Sequence, residues 1–222
     1  PNPFGRYLGE ILRAEGLNAF DIAELSTITS TSLSNARLVL LSETPLTNEQ
    51  ASLLDAYVAG GGRLIAMRPD GRLNATLGIT PAGSSTTDGY LRINTAHASG
   101  AGLPDTTLPL YGAATHYNVA SGAETIATLY STRTTATAFP AVIRRGNTAT
   151  WTFDLARSVV YSRQGNPGNA GVDRDGLAPL RTNDVFYNAI DKDRVPIPHA
   201  DFQMRLLSRV IRDLLATHTP LP

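Results

Sequence analysis

Two apolar runs, RLVLLS at residues 37–42 and RLIAM at residues 63–67, are each followed at once by side chains able to do polar chemistry: Glu43 after the first, Arg68 and Asp70 after the second. In open α/β sheets ligands bind beyond the carboxyl ends of the strands, so a carboxylate and a guanidinium delivered there can hold a polar substrate or orient a water. The same residue types also make structural pairs that tie loops together, and that use is the commoner one. A second polar group sits in the loop of residues 163–199, where Asp173, Arg174 and Asp175 precede Gly176. Set in an EF-hand register, Gly171 falls at the first ligand position and Thr182 at the twelfth, where a bidentate Glu belongs, so that motif fails. An irregular Ca²⁺ site stands as the alternative to a solvated, Arg-paired loop, and no other cofactor is expected.

The remaining chemistry-bearing residues are scattered. His97, His116, His199 and His218 show neither H-x-x-x-H nor H-E-x-x-H spacing, so each reads as a packing or surface histidine. No G-x-S-x-G elbow is present to support a serine nucleophile. Gly100 and Gly102 lack the strand-before, helix-after context of a dinucleotide fingerprint. Trp151, Tyr111, Tyr117 and Tyr130 read as core aromatics, with a sugar-stacking face as the alternative.

Composition narrows the classes further. With no cysteine, there is no disulfide, no thiolate nucleophile and no Cys-ligated metal, and Lys192 is the only lysine, which leaves Schiff-base chemistry almost no candidate. Nineteen basic residues balance nineteen acidic ones, so nothing advertises a nucleic-acid partner. No apolar run reaches eighteen residues, so membrane insertion is not expected. The Ser/Thr/Asn/Gly-rich, lysine-poor texture suits an extracellular or cell-surface protein, and the start at Pro1 reads as a processed or excised piece.

The elements that must position these residues follow a strand, helix, strand rhythm. Residues 5–16 carry Tyr7, Leu8, Ile11, Leu12 and Ala14 at helical spacing, with Asn2 as candidate cap and Gly16 as the stop. A short strand is expected within residues 19–25. Thr47, Asn48, Glu49 and Gln50 form a capping box ahead of a helix that ends at three glycines, Gly60 to Gly62. The runs at 37–42 and 63–67 on either side are continuous apolar segments, the mark of parallel strands buried on both faces. Residues 82–147 change to short β-like runs, with a hairpin at Arg145-Gly146-Asn147, and are expected to add antiparallel strands to one edge of the sheet. A helix starts near Leu155, and residues 201–217 make a closing helix with a wide apolar face.

The stretch from Phe4 to Ile79, above all L-T-x-x-Q followed by G-G-G-x-L-I-A-M-R-P-D, resembles the amidotransferase-like domain of large secreted bacterial proteins, as does WTFDLARSVVYSRQGNP later in the chain. These belong to the class I glutamine amidotransferase-like superfamily. The resemblance implies an α/β, flavodoxin-like three-layer sandwich, mainly parallel, forming a single domain over residues 1–222 with 82–147 as a β-rich insertion or edge extension. Working members carry a cysteine on a sharp turn after a central strand, with a His and a Glu elsewhere; here the matching turn reads Arg68-Pro69-Asp70-Gly71, so cysteine-dependent glutaminase chemistry is excluded. The family also has a central strand ahead of the first helix, and its expected place lies upstream of residue 1, to be filled by a longer precursor or by another chain. The expected function is a non-catalytic extracellular module serving binding or assembly, with carbohydrate-related ligands in view. Its partners would be other copies of itself or neighbouring domains. The alternative is a hydrolase acting on a carbohydrate or amide through Asp, Glu and Arg at the strand ends. Glu43, Arg68, Asp70, Asp173, Arg174 and Asp175 are the candidate ligand-binding residues, the last three expected to fold back over the strand ends.

Overall fold

In the computed structural model the two apolar runs lie side by side: β1 (Val39–Leu41) and β2 (Leu64–Met67) are parallel, in the register Val39↔Leu64 to Leu41↔Ala66. The structure describes residues 2–173, 176, 178–180, 182–185 and 198–216. The segment joining these strands is the helix α3 (Asn48–Ala59), and its start is the capping box expected: the Gln50 amide donates to Thr47 Oγ1 and the Thr47 amide to Gln50 Oε1.

Ahead of β1 come α1 (Tyr7–Ala14) and the short α2 (Ser30–Ser34). Gly16, at φ 76°, ends α1, and the Leu17 amide returns 2.8 Å to the Leu12 carbonyl, the closing bond of a Schellman turn. Asn2 is not the cap of this helix; its side chain reaches instead to Glu43 and Asp154. Nor do residues 19–25 form a strand. They run without a ladder into a 3₁₀ turn at Leu25–Thr27, because no neighbouring strand among the described residues pairs with them.

After β2 follow α4 (Asn74–Leu77), β3 (Ile79–Thr87), β4 (Tyr90–Ile93), β5 (Thr107–Pro109), β6 (Ala113–Val119), β7 (Glu124–Tyr130), β8 (Ala136–Arg145) and β9 (Thr148–Trp151). β9 joins the far side of β2 in parallel, and β8, β7, β4 and β5 extend the sheet antiparallel, giving the order β1-β2-β9-β8-β7-β4-β5. β3 and β6 make a separate antiparallel ribbon. The β8–β9 turn falls at the predicted place: Arg145 pairs with Thr148, and Gly146 takes the positive φ, 52°, that a two-residue hairpin requires. The chain then forms α5 (Leu155–Gln164), α6 (Thr182–Val185) and α7 (His199–Leu215).

The sheet separates two apolar layers. Ile65, Met67, Ala149 and Trp151 face Leu8 and Ile11 of α1, Val159 of α5, and Leu206, Leu207 and Val210 of α7. Leu64 and Ala66 face Ala51 and Leu54 of α3, Leu77 of α4, and Tyr117 of β6. Adjacent residues of β2 thus serve opposite layers and all four are fully buried, which is why that strand reads as an unbroken apolar run. This is a mixed α/β architecture of three layers, with the added antiparallel strands where the sequence placed them. Among the described residues no helix is long and apolar enough to cross a membrane.

Candidate functional site

The carboxyl ends of β1, β2 and β9 open onto one cleft of about 370 Å³, lined by Asn2, Glu43, Pro45, Arg68, Asp70 and Arg157 together with Thr44, Pro69 and Thr115. Glu43, Arg68 and Asp70 arrive on the turns that follow β1 and β2, and Arg157 from the first turn of α5. Arg68 leaves β2 at φ 37°, a left-handed backbone uncommon for a non-glycine residue, while its amide still donates 2.8 Å to the Trp151 carbonyl of β9. The sharp turn swings the guanidinium back across the strand ends. Its Nη1 donates to Glu43 Oε1 at 2.7 Å and its Nε to Thr115 Oγ1 at 3.2 Å.

Glu43 is shared. Its second oxygen, Oε2, lies 3.8 Å from Arg157 Nη2, is buried, and accepts no hydrogen bond among the described residues. Arg157 is held by the start of α5. Asp154, almost wholly buried, caps that helix by accepting from the Arg157 amide at 3.2 Å, and its other oxygen accepts from Asn2 Nδ2 at 2.9 Å. The Asn2 amide also donates 2.9 Å to the Glu43 carbonyl, tying residues after β1 and β9 together. The Arg157 guanidinium sits 5.2 Å from the centroid of the Phe4 ring, a cation–π contact.

Asp70 reaches the rim of the same cleft but is engaged elsewhere. It accepts from the Leu46 amide, from the Arg72 amide and from Arg72 Nη1. Burial pushes its carboxyl upward, yet these backbone and guanidinium hydrogen bonds outweigh it and hold the group below the ordinary carboxylate value. Glu43, Arg68 and Asp70 are therefore brought together as the strand-end argument expected. Asp173 does not line the cleft; it is exposed, and its Oδ1 accepts from the Gly176 amide at 2.7 Å. A solvated loop turn of this kind is satisfied by its own backbone and needs no partner at the strand ends. Arg174 and Asp175 lie outside the described residues. Among the described residues no group of three or more His, Asp or Glu side chains is placed to hold a metal ion.

Asn2, Thr115, Asp154 and Arg157 escaped the sequence reading. The signal for Asp154 and Arg157 was present: D-L-A-R follows the buried strand TATW after only Thr152 and Phe153, and applying the strand-end rule to β9 finds both. Thr115 and Asn2 reach the cleft through long-range packing, with no local motif to announce them.

The fold so described is of the flavodoxin-like α/β class seen in class I glutamine amidotransferases. A glutamine amidotransferase from Thermotoga maritima superposes with a TM-score of 0.59 at 12% identity, covering 96% of this chain and 93% of that one. A cytoplasmic protein from Salmonella typhimurium LT2 gives a TM-score of 0.51 at 14% identity over 67% of this chain and 75% of that one. A β-galactosidase from Bacillus circulans sp. alkalophilus aligns at 11% identity over 58% of this chain; the chain spans 22% of that enzyme, and at a TM-score of 0.45 the likeness carries no argument. No protein-family model matches the chain, and no curated protein matches it.

Proposed function

We propose that this chain is a non-catalytic amidotransferase-like module that binds a small, neutral, polyhydroxylated ligand of the saccharide type in the cleft at the carboxyl ends of β1, β2 and β9. The observation that carries the reading is Arg68. It occupies the strained turn where the resemblance expects a nucleophile, and its guanidinium is committed to Glu43 and Thr115. Both threonine hydroxyls at the cleft are engaged: Thr115 accepts from Arg68, and Thr44 donates to the Pro45 carbonyl.

The ligand class follows from charge and chemistry. Among the residues that line the cleft, Arg68 and Arg157 balance Glu43 and Asp70, so the lining carries no net charge to attract an anion. It offers donors and acceptors side by side, which suits vicinal hydroxyls, next to the apolar rings of Pro45 and Pro69. The extracellular setting rests on composition, and the reading calls for no cofactor.

The hydrolase reading keeps one supporting observation, the buried Glu43 Oε2 without a hydrogen-bond donor, an oxygen able to orient a water. Titrating glucose, mannose, galactose and their disaccharides against the protein by NMR, with inorganic phosphate as the anionic control, tests the proposal. Saturable shifts for a sugar that vanish in Arg157→Ala support it. Saturable phosphate binding at the cleft without sugar binding, or turnover of glycosides or amides that is lost in Glu43→Gln, overturns it.

A further inference from the structure

We propose that Ser84, on the β3–β6 ribbon, is a covalent acyl-acceptor site that takes an acyl group from an activated ester, with His116 as its base. His116 lies between two hydroxyls: Ser84 Oγ is 2.8 Å from its Nδ1 and Thr86 Oγ1 is 2.8 Å from its Nε2. A neutral imidazole accepts at one nitrogen and donates at the other, so one of these hydroxyls gives its proton to the ring while the other receives one. The ring is buried, and Phe139 of β8 stacks on its face with centroids 4.3 Å apart and planes 17° from parallel. Held in its plane by the hydroxyls and across its face by Phe139, it has one orientation to present. Burial lowers its pKa below the ordinary 6.5, so at neutral pH the ring is the free base.

The backbone presents the serine outward. Pro81 pairs with Tyr117 and Ser85 with Thr115, so three residues, Ala82, Gly83 and Ser84, stand opposite His116 alone. A bulge of this kind bends its strand and re-aims a side chain. Gly83 takes a φ of 77° within it, and a Cβ added there would meet nothing within 4 Å, which leaves open space beside Ser84. Ser84 is exposed, whereas Thr86 is half-buried and carries a methyl group on the same carbon as its oxygen. An acyl donor therefore reaches the primary hydroxyl of Ser84 and not the secondary one of Thr86.

With the Nε2 proton donated to Thr86, Nδ1 takes the proton of Ser84 as Oγ attacks. The bond from Oγ to the acyl carbon forms, the ester bond to the departing alcohol oxygen breaks, and the proton passes from Nδ1 to that oxygen. The products are the Ser84 ester and a free alcohol, with the imidazole neutral again. This site stands apart from the saccharide cleft. Thr115, the residue next to His116, turns its hydroxyl to Arg68 by the alternation of β6, so Glu43, Arg68 and Arg157 take no part in the transfer.

The test treats the protein with p-nitrophenyl acetate at neutral pH and follows acetylation residue by residue by mass spectrometry of its peptides. Ser85, exposed on the same strand, is the internal control. Acetylation of Ser84 faster than that of Ser85 by about tenfold or more supports the proposal, as does a fall of about a hundredfold at Ser84 in His116→Gln with an unchanged circular dichroism spectrum. Recovery of Ser84 labelling in His116→Ala on addition of imidazole supports the role of the ring as base, since a merely structural histidine is not replaced in this way. Equal labelling of Ser84 and Ser85 in the wild type overturns the proposal whether or not the variants fold. So does an acetyl group found on Thr86 instead, or Ser84 labelling that is the same in wild type and His116→Gln.

Discussion

Replacing Arg68 by alanine and by glycine should separate the two roles that the turn after β2 combines. Both substitutions remove the guanidinium, and with it the Glu43 pair and the bond to Thr115. The two side chains of that pair are 31% and 23% exposed, so solvent screening limits its net worth to about 0–1 kcal/mol. Alanine retains the left-handed strain of a φ of 37°, on the order of 1 kcal/mol for an L residue, while glycine releases it. Arg68→Gly should therefore be more stable than Arg68→Ala by about 1 kcal/mol, or roughly 2–4 °C in Tm for a domain of this size. At an ordinary backbone position the order is reversed, with glycine the less stable by about 0.5–1 kcal/mol. Thermal and urea unfolding followed by circular dichroism read the difference. A glycine variant melting at or below the alanine variant refutes the claim that this turn is strained.

Thr47→Ala removes one half of the capping box and should cost about 1 kcal/mol in urea unfolding; an unchanged midpoint would mean that packing alone starts α3. Leu64→Ala, at a wholly buried position between the sheet and α3, should cost about 2–5 kcal/mol by the same measurement, and a loss below 1 kcal/mol would contradict the close packing of that layer. His116 lies between the Ser84 and Thr86 hydroxyls, each 2.8 Å from a ring nitrogen, and is stacked on Phe139; burial lowers its pKa below the ordinary 6.5. A depressed folded pKa gives stability that is present above 6.5 and lost as pH falls through the lower folded value. The wild type should thus lose stability on acidification below 6.5 in a way that His116→Gln does not, and parallel pH profiles for the two would refute it. By the same sign, Asp70 contributes stability present above the ordinary 3.8 and lost as pH falls through its depressed value, so Asp70→Asn should flatten the acid limb of the pH–stability curve.

What was legible in the sequence was whatever local pattern and burial on two faces dictate together. The uninterrupted apolar runs of β1 and β2, the Thr47–Gln50 box and the Gly146 turn each admit one local solution, and the sheet keeps it. The strand-end rule led from those runs directly to Glu43, Arg68 and Asp70. It was not carried to β9, where the same logic holds Asp154 and Arg157. The segment 19–25 has strand-like residues, but a strand is a property of a pair, and no partner lies beside it among the described residues. Asn2 looked like a helix cap because its residue type suits one; long-range bonds to Glu43 and Asp154 claimed it instead. The loop carrying Asp173 was expected to seek charged partners at the strand ends, whereas the backbone amide of Gly176 satisfies that carboxylate locally.

The proposed role of the cleft formed by Glu43, Arg68 and Arg157 is binding without catalysis. Its most direct test is an NMR titration of the isotope-labelled protein with the neutral sugar panel, run on wild type, Arg157→Ala and Glu43→Gln. Saturable shifts are expected at Thr44, Arg68, Thr115 and Arg157 in the wild type, with their loss in Arg157→Ala and a sugar recovered chemically unchanged. Shifts confined to residues outside the cleft, or a hydrolysed sugar whose turnover disappears in Glu43→Gln, would contradict it.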